Sequence, residues 1–545
     1  MFDSRHLRAF FVCAIISTSG VITQSPLWAQ ARRPRQQEAD QAYQKGMALL
    51  QEKQYLGALD QFKLAEKDAP TLPQGYTGEG ITLALSGKPQ GAMVVLRKAL
   101  AMDPSYWVAR RELGIVEWHE GLKREASENL LAIVRLFPND ATVDAILGEY
   151  ESEKKDYGSA AQFFAKAPAQ IATDPHLLLL AAQAWLKTGH RQDAVKELDS
   201  VAEFPHLDPQ QRFELGWLLG EAKEYPKAIE VLKSPPPNVP HHFAWGYALA
   251  LAYFESGDYH HAIRTLTTLK ARGMARADLY SLLGTAHERA GNTLAAYDSF
   301  RQGIYQFPHD DQCYLNMATL SVQHLNYEVA AQVLTSGIQQ MPGDYKMHLT
   351  RGVVYSLSHK LANAQADYDK ALALAPGASS AYIALGMCYE DQGKLQDAIR
   401  TLGAGIAKQL KDALLYYFLA DVLFRQGIAP RSPAYAEALE AVQNGLAIDP
   451  TFAYGYVQRA KLEMISNNLG AATGDLEHAQ KLSPKSQTVL YQLAIAYRRA
   501  GRKAEAGKLF DELAQSSRER EAKFRKGRLI QIMVAISSRG SQPTH

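Results

Sequence analysis

The chain has 545 residues, of which 47% are hydrophobic and 21% are charged, with 38 glycines and 24 prolines. This composition excludes collagen-like, low-complexity and wholly disordered proteins. The 59 basic and 57 acidic residues leave a formal charge of +2, so the chain as a whole has no strong electrostatic attraction to nucleic acid. Three cysteines are too few for a disulfide-stapled scaffold or a cysteine-rich metal cluster.

Residues 1–31 have the pattern of a secretory signal peptide. Arg5 and Arg8 precede an apolar run over residues 9–16, and small side chains return at Ala29 and Ala31. We expect cleavage after one of these two alanines and export to the periplasm. The alternative is an uncleaved inner-membrane anchor, because a stretch of about 21 residues is long enough to span a bilayer. Several polar residues between positions 17 and 26 weigh against the anchor.

Residues 32–38 follow as a polar tether without apolar periodicity. No later segment has the 18 consecutive apolar residues of a membrane helix, so we expect a mature chain without a transmembrane helix.

From residue 39 onward the chain is a repeat of about 34 residues. Alanine recurs at one position in fourteen successive repeats, at Ala58, Ala92, Ala126, Ala160, Ala194, Ala228, Ala262, Ala296, Ala330, Ala364, Ala398, Ala438, Ala472 and Ala506. Glycine or alanine stands twelve residues before most of these alanines, as at Gly46, Gly284 and Gly386, and proline often follows twelve residues after them, as at Pro70 and Pro376. A ladder of this kind indicates a repeat architecture.

Each repeat has the pattern of two helices joined by a turn. Apolar residues around the first small position follow the spacing i, i+3, i+4 and i+7, which is typical of an amphipathic helix. Seven residues later Gly or Asn recurs, as at Gly87 and Asn467, where a helix end favours a left-handed residue. The second helix carries the alanine and a large side chain four residues on, such as Phe62 or Phe300. We therefore predict hairpins that bury their apolar faces by stacking on their neighbours.

These features resemble the tetratricopeptide repeat family, which has small residues at repeat positions 8 and 20, an aromatic residue at position 24 and proline at position 32. The resemblance covers residues 39–515 and implies an all-α, right-handed superhelical solenoid of about fourteen helix–turn–helix repeats. The tryptophan often found at position 4 is absent. Tyrosine stands there in several repeats, as at Tyr76, Tyr314, Tyr382 and Tyr456.

Two interruptions and a C-terminal segment complete the predicted domain organisation. Pro235, Pro236 and Pro237 shorten the second helix of repeat 6, so a bend is possible near residues 235–240. Six extra residues near 428–434 lengthen the turn inside repeat 12. We expect residues 516–545 to form a capping helix and tail that cover the last apolar face. The alternative for the basic segment 516–539 is contact with an anionic membrane surface or a partner.

The sequence contains no motif for catalysis or cofactor binding. H-E-x-x-H, G-x-S-x-G, P-loop and dinucleotide-binding patterns are all absent. Nine histidines between His241 and His359 lack the paired spacing and nearby thiolates of a metal site. Cys313 and Cys388 fall two repeats apart, on the order of 20 Å at ordinary helix spacings, so we expect two free, partly buried thiols. We predict no enzyme, no cofactor and no metal.

The family resemblance implies that positions 2, 5, 9 and 12 of each first helix line a concave groove. In repeats 5 to 7 and 12 to 14 these positions carry mostly apolar and aromatic residues, namely Leu179, Leu186, Phe213, Trp217, Tyr247, Leu251, Phe254, Tyr417, Phe424, Tyr454, Val457 and Tyr491. Acids replace them in repeats 8 and 11, at Asp278, Glu288 and Glu390. Lys346, Lys461 and Arg498 are far apart, which disfavours the cationic clamp that some family members use for a peptide carboxylate.

We therefore expect a non-enzymatic scaffold or adaptor in the cell envelope. An aromatic groove suits an amphipathic helix or an extended apolar segment of a protein partner. Envelope assembly, secretion, pilus or exopolysaccharide machinery are the settings that the resemblance implies. One alternative is a carbohydrate-binding accessory protein, in which Tyr417, Tyr454 and Tyr491 stack on sugar rings. Another is the regulatory subunit of an enzyme on a separate chain.

Overall fold

A computed structural model describes residues 34–235, 242–514, 529–531 and 533 of the chain. The predicted signal peptide, residues 1–31, and most of the predicted cap lie outside these residues. The chain divides into two compact parts, Met1–Ser256 and Gly257–His545, which are considered separately below. Within the described ranges every regular element is an α-helix.

The N-terminal part contains α1 to α14. Their bounds are α1 Pro34–Gln51, α2 Tyr55–Asp68, α3 Pro73–Leu85, α4 Pro89–Met102, α5 Trp107–His119, α6 Lys123–Leu136, α7 Ala141–Glu153, α8 Tyr157–Phe164, α9 Pro168–Ile171, α10 Pro175–Lys187, α11 Arg191–Ala202, α12 Pro209–Glu221, α13 Tyr225–Leu232 and α14 His242–Glu255.

The C-terminal part contains α15 to α29. Their bounds are α15 Tyr259–Ala271, α16 Ala277–Arg289, α17 Thr293–Gln306, α18 Asp311–Gln323, α19 Tyr327–Gln340, α20 Tyr345–Leu357, α21 Leu361–Leu374, α22 Ser379–Asp391, α23 Leu395–Ala407, α24 Ala413–Arg425, α25 Pro433–Ile448, α26 Ala453–Ile465, α27 Leu469–Leu482, α28 Gln487–Arg499 and α29 Lys503–Ala514.

Within each part the helices pack as a stack of hairpins. The two helices of a repeat contact each other, the second contacts the first helix of the next repeat, and first helices of successive repeats also touch. In the N-terminal part, for example, α1 contacts α3, α3 contacts α5 and α5 contacts α7. The all-α class and the repeated helix–turn–helix pattern are therefore confirmed. Each hairpin buries its apolar face against similar neighbours, as repeat proteins do.

The recurring small residues lie where helices pack most closely. Thirteen of the fourteen recurring alanines are completely buried, and Ala506 retains 3% exposure. The glycines of the first helices face the large residue sixteen positions later. A Cβ atom added to Gly284 would lie 2.3 Å from the ring of Phe300, and one added to Gly352 would lie 2.5 Å from the ring of Tyr368. These contacts leave no space for a larger side chain.

The turn inside each hairpin has a left-handed residue, as the recurring Gly or Asn predicts. Gly87 has a φ of 80° and Asn467 a φ of 61°. The same position is left-handed in repeats that carry neither residue type, as at Lys53, Lys155, Lys223, Leu325 and His359. The repeat geometry therefore imposes this conformation on residues that disfavour it.

Helix α1 differs from the sequence-based prediction at its start. Residues 34–38, assigned to the polar tether, are helical, and α1 begins at Pro34. Proline is well suited to the first position of a helix because its φ is already helical and it has no N–H to leave unpaired. The following glutamines and glutamate are good helix formers. The tether prediction was therefore wrong for these residues.

The second helix of repeat 4 is short, which the repeat pattern did not predict. Helix α8 ends at Phe164, and the chain turns before the four-residue helix α9 begins at Pro168. Proline cannot occupy a helix interior without losing a hydrogen bond, so α8 ends before it and α9 starts on it. In repeat 6, α13 ends at Leu232, before Pro235. In repeat 12, residues 426–432 form the turn between α24 and α25.

The C-terminal segment is described only at residues 529–531 and 533. Leu529 and Met533 are 6% and 1% exposed and belong to a hydrophobic cluster that runs from Tyr314 to Leu462. A separate cluster, from Ala453 to Phe510, lies at the last helices. The other residues of the predicted cap lie outside the described part of the chain.

Cys313 and Cys388 are free thiols and both are buried, Cys313 at 2% and Cys388 at 1% exposure. Burial raises the pKa of each thiol. The two cysteines thus have the protonation state and inaccessibility of structural rather than reactive thiols. Among the helices described, none combines the length and the apolar character needed to cross a bilayer.

Candidate functional site

A cleft of about 890 Å³ opens on the first four repeats, and we call it the N-terminal cleft. Helices α1, α3, α5 and α7 contribute to it, together with the end of α6, the α6–α7 loop and α9. Its lining residues are Tyr43, Met47, Ile81, Tyr106, Trp107, Val108, Arg111, Glu112, Leu136, Phe137, Pro138, Asn139, Asp140, Ala141, Thr142 and Gln170.

The cleft lies on the helix face that the family resemblance assigns to a groove. Tyr43 and Met47 occupy positions 5 and 9 of repeat 1, Ile81 position 9 of repeat 2, and Arg111 position 5 of repeat 3. The short helix α9 brings Gln170 into the cleft lining, where its amide donates a 3.3 Å hydrogen bond to the hydroxyl of Thr142. The break between α8 and α9 therefore helps to shape the site.

Aromatic rings supply much of the cleft wall. The rings of Trp107 and Phe137 are in contact, with centroids 4.3 Å apart, and Phe137 is 39% exposed. Tyr43 and Tyr106 are half-buried. Burial raises the pKa of the Tyr43 phenol, and the nearby carboxylate of Glu112 raises it further. The wall therefore combines apolar surface with aromatic faces, which attract cations.

A buried ion pair lies in the cleft. Arg111 is 3% exposed, and its guanidinium donates from Nε and Nη2 to the two carboxylate oxygens of Asp140 at 2.5 and 3.2 Å. Asp140 is also the N-cap of α7, accepting a hydrogen bond from the backbone N–H of Val143. Arg111 donates a third bond from Nη1 to Oε1 of Glu112. One buried cation is thus shared by two acids.

Glu112 is the unusual member of this group. Its side chain is 5% exposed, and its second oxygen, Oε2, is buried without a hydrogen-bond partner among the described residues. Burial raises the pKa of Glu112, against the opposing effect of Arg111. A buried acceptor left without a partner costs about 1–3 kcal/mol, and a charged one more. Oε2 is therefore an acceptor in a cleft-lining residue that the described residues leave unsatisfied.

The predicted groove residues of repeats 5 to 7 divide into buried and half-buried side chains. Leu179 and Tyr247 are buried at 2% and 4% exposure, and Tyr247 stacks on Phe243 with centroids 5.6 Å apart. The half-buried members are Leu186, Phe213, Trp217, Leu251 and Phe254. Phe213 and Trp217 pack against a small cluster formed by Leu232, Trp245 and Ala248. Part of this set therefore contributes to packing, and its role as a contact surface stays a prediction.

The predicted residues of repeats 12 to 14 are similarly divided. Tyr417 is 9% exposed and lies edge-on to the rings of Phe418 and Phe452. Phe424 has the ammonium of Lys461 over its ring at 5.7 Å. Val457 is buried at 2%, Tyr454 is half-buried and Tyr491 is 50% exposed. These contacts leave Tyr491 as the most accessible of the three tyrosines proposed for sugar stacking.

Most predicted groove charges have partners within the chain. Lys346 pairs with Asp311 at 2.7 Å, Lys461 lies 3.8 Å from Asp421, and the guanidinium of Arg498 lies over the ring of Phe510. Glu390 pairs with Arg425 at 3.1 Å. Burial raises the pKa values of Asp278 and Glu288. In the described ranges, no group of three or more His, Cys, Asp or Glu side chains is arranged to hold a metal ion.

The N-terminal cleft was not among the sites predicted from the sequence. The resemblance assigns positions 2, 5 and 9 of these repeats to the groove as well. Other repeats carry more aromatic residues at those positions, so the prediction selected them instead. Glu112 stands at position 6 and had no signal, because the resemblance does not assign that position to the groove. Leu136, Phe137 and Asn139 come from the end of α6 and the loop after it, and their place in the cleft depends on how repeats 3 and 4 stack.

Comparison with known proteins finds matches to tetratricopeptide repeat profiles and to one repeat-containing protein. Two family profiles described as "Tetratricopeptide repeat" match residues 357–422 for one and residues 247–311 and 457–521 for the other. A TPR repeat-containing protein YpiA from Bacillus subtilis (strain 168) is 22% identical over 359 residues, which cover 64% of this chain and 75% of that protein.

Two solved structures are similar at low identity. The yeast Tom70 structure is 17% identical, with a TM-score of 0.41, and the match covers 92% of this chain and 96% of that one. The Cut9 and Hcn1 hetero-tetramer of the APC/C contains a chain that is 13% identical, with a TM-score of 0.35, and the match covers 84% of this chain and 96% of that one.

Proposed function

Because the chain is a tetratricopeptide repeat protein, we propose that it is a non-enzymatic scaffold that holds a partner protein on the first helices of its repeats. Arrays of this kind present an extended surface made by successive repeats, and such surfaces are used for binding. The profiles that match the chain are those of the repeat and not of a catalytic family.

The N-terminal cleft is the observation that carries this proposal. It is preformed, it lies on positions 2, 5 and 9 of the first helices, and it combines aromatic walls with a buried charged group. Binding sites in proteins are mostly apolar clefts with a few fixed polar groups. The half-buried Trp217 and Phe254 are a second, predicted contact region on the first helices.

Co-purification tests the scaffold role. The tagged full chain is recovered from the cells that produce it, and bound proteins are identified by mass spectrometry. We expect a reproducible partner that the double variant Trp107→Ala/Phe137→Ala loses by several-fold or more, because buried aromatic anchors dominate interface energies. The variant Trp217→Ala/Phe254→Ala tests the second region in the same way.

The control is the double variant Leu56→Ala/Leu294→Ala. These leucines are 79% and 83% exposed and lie on second helices, away from the proposed binding face. Circular dichroism establishes that every variant is folded. A partner retained in full by both aromatic variants, or lost equally by the leucine control, contradicts binding on the first helices.

We also propose that the scaffold works in the cell envelope, in assembly, secretion, pilus or exopolysaccharide machinery. The support is the basic, apolar and small-residue pattern of residues 1–31. N-terminal sequencing of the protein isolated from its native cells tests the location. A chain that begins directly after Ala29 or Ala31 is the expected result. A membrane fraction that retains Met1 favours the anchor alternative, and a cytosolic chain that retains Met1 contradicts envelope location.

A further inference from the structure

We propose that the N-terminal cleft binds a basic side chain, lysine or arginine, carried by an extended apolar segment of the partner protein. This inference rests on the scaffold function proposed above and specifies the chemistry of the segment that the cleft recognises. It follows from the charge balance of the cleft, the unpartnered oxygen of Glu112 and the aromatic wall.

The charge balance disfavours an acidic ligand. The guanidinium of Arg111 already donates to both oxygens of Asp140 and to Oε1 of Glu112. A ligand carboxylate would find only the two remaining N–H groups of this guanidinium and would add a third acidic group beside a single cation. A bound cation instead favours the ionised form of Glu112, and the two carboxylates against one arginine then leave an excess of negative charge that is complementary to the cation.

The position of Glu112 defines where the cation would interact. Oε2 is buried, it has no hydrogen-bond partner among the described residues, and Glu112 lines the cleft. An ammonium or guanidinium group offers only donors, so it satisfies this oxygen and neutralises the excess charge together. A neutral donor would supply the hydrogen bond and leave the charge imbalance.

The wall of the cleft suits the rest of a basic side chain. Aromatic faces attract cations when the cation lies within about 6 Å of the ring centre, and Trp is the strongest of them. Tyr43, Tyr106 and Trp107 provide such rings. Lysine and arginine also bury their aliphatic stems against apolar surface, which Met47 and Ile81 supply. Apolar neighbours of the basic residue would pack on Leu136 and Phe137 at the exposed edge.

A random dodecapeptide phage library is the probe. The full chain selects peptides, and fluorescence anisotropy gives their affinities for the wild-type protein and for the variant Glu112→Gln. We expect the selected peptides to share a lysine or arginine beside apolar residues. We expect Glu112→Gln to weaken binding by about tenfold or more, because close charge pairs in interfaces couple strongly. Replacing the shared basic residue of the peptide by methionine should weaken binding to wild type equally and binding to Glu112→Gln little further.

Asp144→Asn is the matched control. Asp144 is a completely buried carboxylate on α7, both of its oxygens lack hydrogen-bond partners within the described ranges, and it lies outside the cleft lining. Removing this charge should leave peptide affinity unchanged. Thermal unfolding of both variants establishes that they are folded.

Three results would overturn the inference. Peptides that lack a basic residue, or that are acidic, would show that the cleft has another specificity. Equal affinity for wild type and Glu112→Gln would show that Oε2 does not contact the ligand. Equal loss in Asp144→Asn would show an indirect effect of buried charge. The scaffold function is tested separately by native co-purification. If that experiment yields a partner that Trp107→Ala/Phe137→Ala loses, the scaffold function stands even when the basic-residue specificity is wrong.

Discussion

The phenol of Tyr382 donates a hydrogen bond of 3.1 Å to the carbonyl oxygen of Pro376, six residues earlier in the chain. The same bond recurs from Tyr76 to Pro70, from Tyr314 to Pro308 and from Tyr456 to Pro450. Position 4 of one repeat is thereby tied to the end of the preceding repeat. Tyrosine at this position therefore links consecutive hairpins through a polar contact as well as through packing.

Tyr382→Phe should lower the stability of the C-terminal part by about 1 kcal/mol, because it removes one partly buried hydrogen bond and leaves the carbonyl of Pro376 with one partner fewer. The midpoint of urea unfolding measures the change. Tyr305→Phe is the control, since Tyr305 is 86% exposed. An identical shift in the two variants would show that the bond contributes nothing specific.

Gly284→Ala should destabilise the fold by about 1–3 kcal/mol, because the added methyl group would overlap the ring of Phe300 and force it out of place. Gly403→Ala should have the opposite effect and stabilise the protein. Gly403 lies inside α23, and a Cβ added to it would meet no atom of the described residues within 4 Å, so alanine should stabilise the helix by up to about 1 kcal/mol. Thermal unfolding of the two single variants separates the effects. A gain of stability in Gly284→Ala would contradict the close approach described here.

Leu325→Gly should stabilise the protein by about 0.5–1 kcal/mol. Leu325 has a φ of 60° and is 62% exposed, so its side chain gains little from packing while its backbone is held in a region that L-residues disfavour. The greater freedom of glycine in the unfolded chain reduces the gain.

The reciprocal variant is Gly291→Ala, at the same turn position of the preceding repeat, where φ is 81°. It should destabilise the protein by about 1 kcal/mol. Chemical unfolding of both variants tests the pair. Shifts of the same sign would show that the turn conformation is not the cause.

Stability should fall between about pH 4.5 and pH 8 because of Glu66. Burial, and then its contact with Glu79, raise the pKa of Glu66 from 4.5 to about 8. The folded protein thus holds a proton that the unfolded chain releases in this range, so the contribution is present below pH 4.5 and is lost as pH rises through 8. Glu66→Gln should flatten this part of the curve of melting temperature against pH.

The control for Glu66 is Glu505→Gln. Glu505 is bound by Arg502, its pKa is lowered, and it therefore has no proton to lose between pH 4.5 and pH 8. Its pH profile in this range should follow that of wild type. A wild-type profile that is already flat would show that Glu66 and Glu79 do not share a proton.

In the C-terminal part, the repeat pattern correctly predicted both the turn conformation and the burial of the recurring alanines. The turn residues Gly291 and Gly393 are left-handed as expected, and Ala296 and Ala398 are fully buried. These features depend on residues within about 16 positions of each other. The early end of α8 and the helical residues 34–38 were missed. Proline starts a helix at Pro34, within the segment assigned to a polar tether, and at Pro168, where the repeat spacing continues the second helix of repeat 4.

What the sequence by itself determined is the hairpin and its register. Small residues at fixed intervals specify where two helices pack closely, and this information is local because a hairpin is made of one continuous stretch of chain. Only the tertiary structure decided which part of the first-helix face forms a cleft and what chemistry it has. Tyr43, Arg111, Asp140 and Gln170 come from separate repeats or from the connections between them, and they meet only because the hairpins stack. Whether a charge such as Glu112 is paired depends on those distant neighbours, so periodicity alone carries no signal for it.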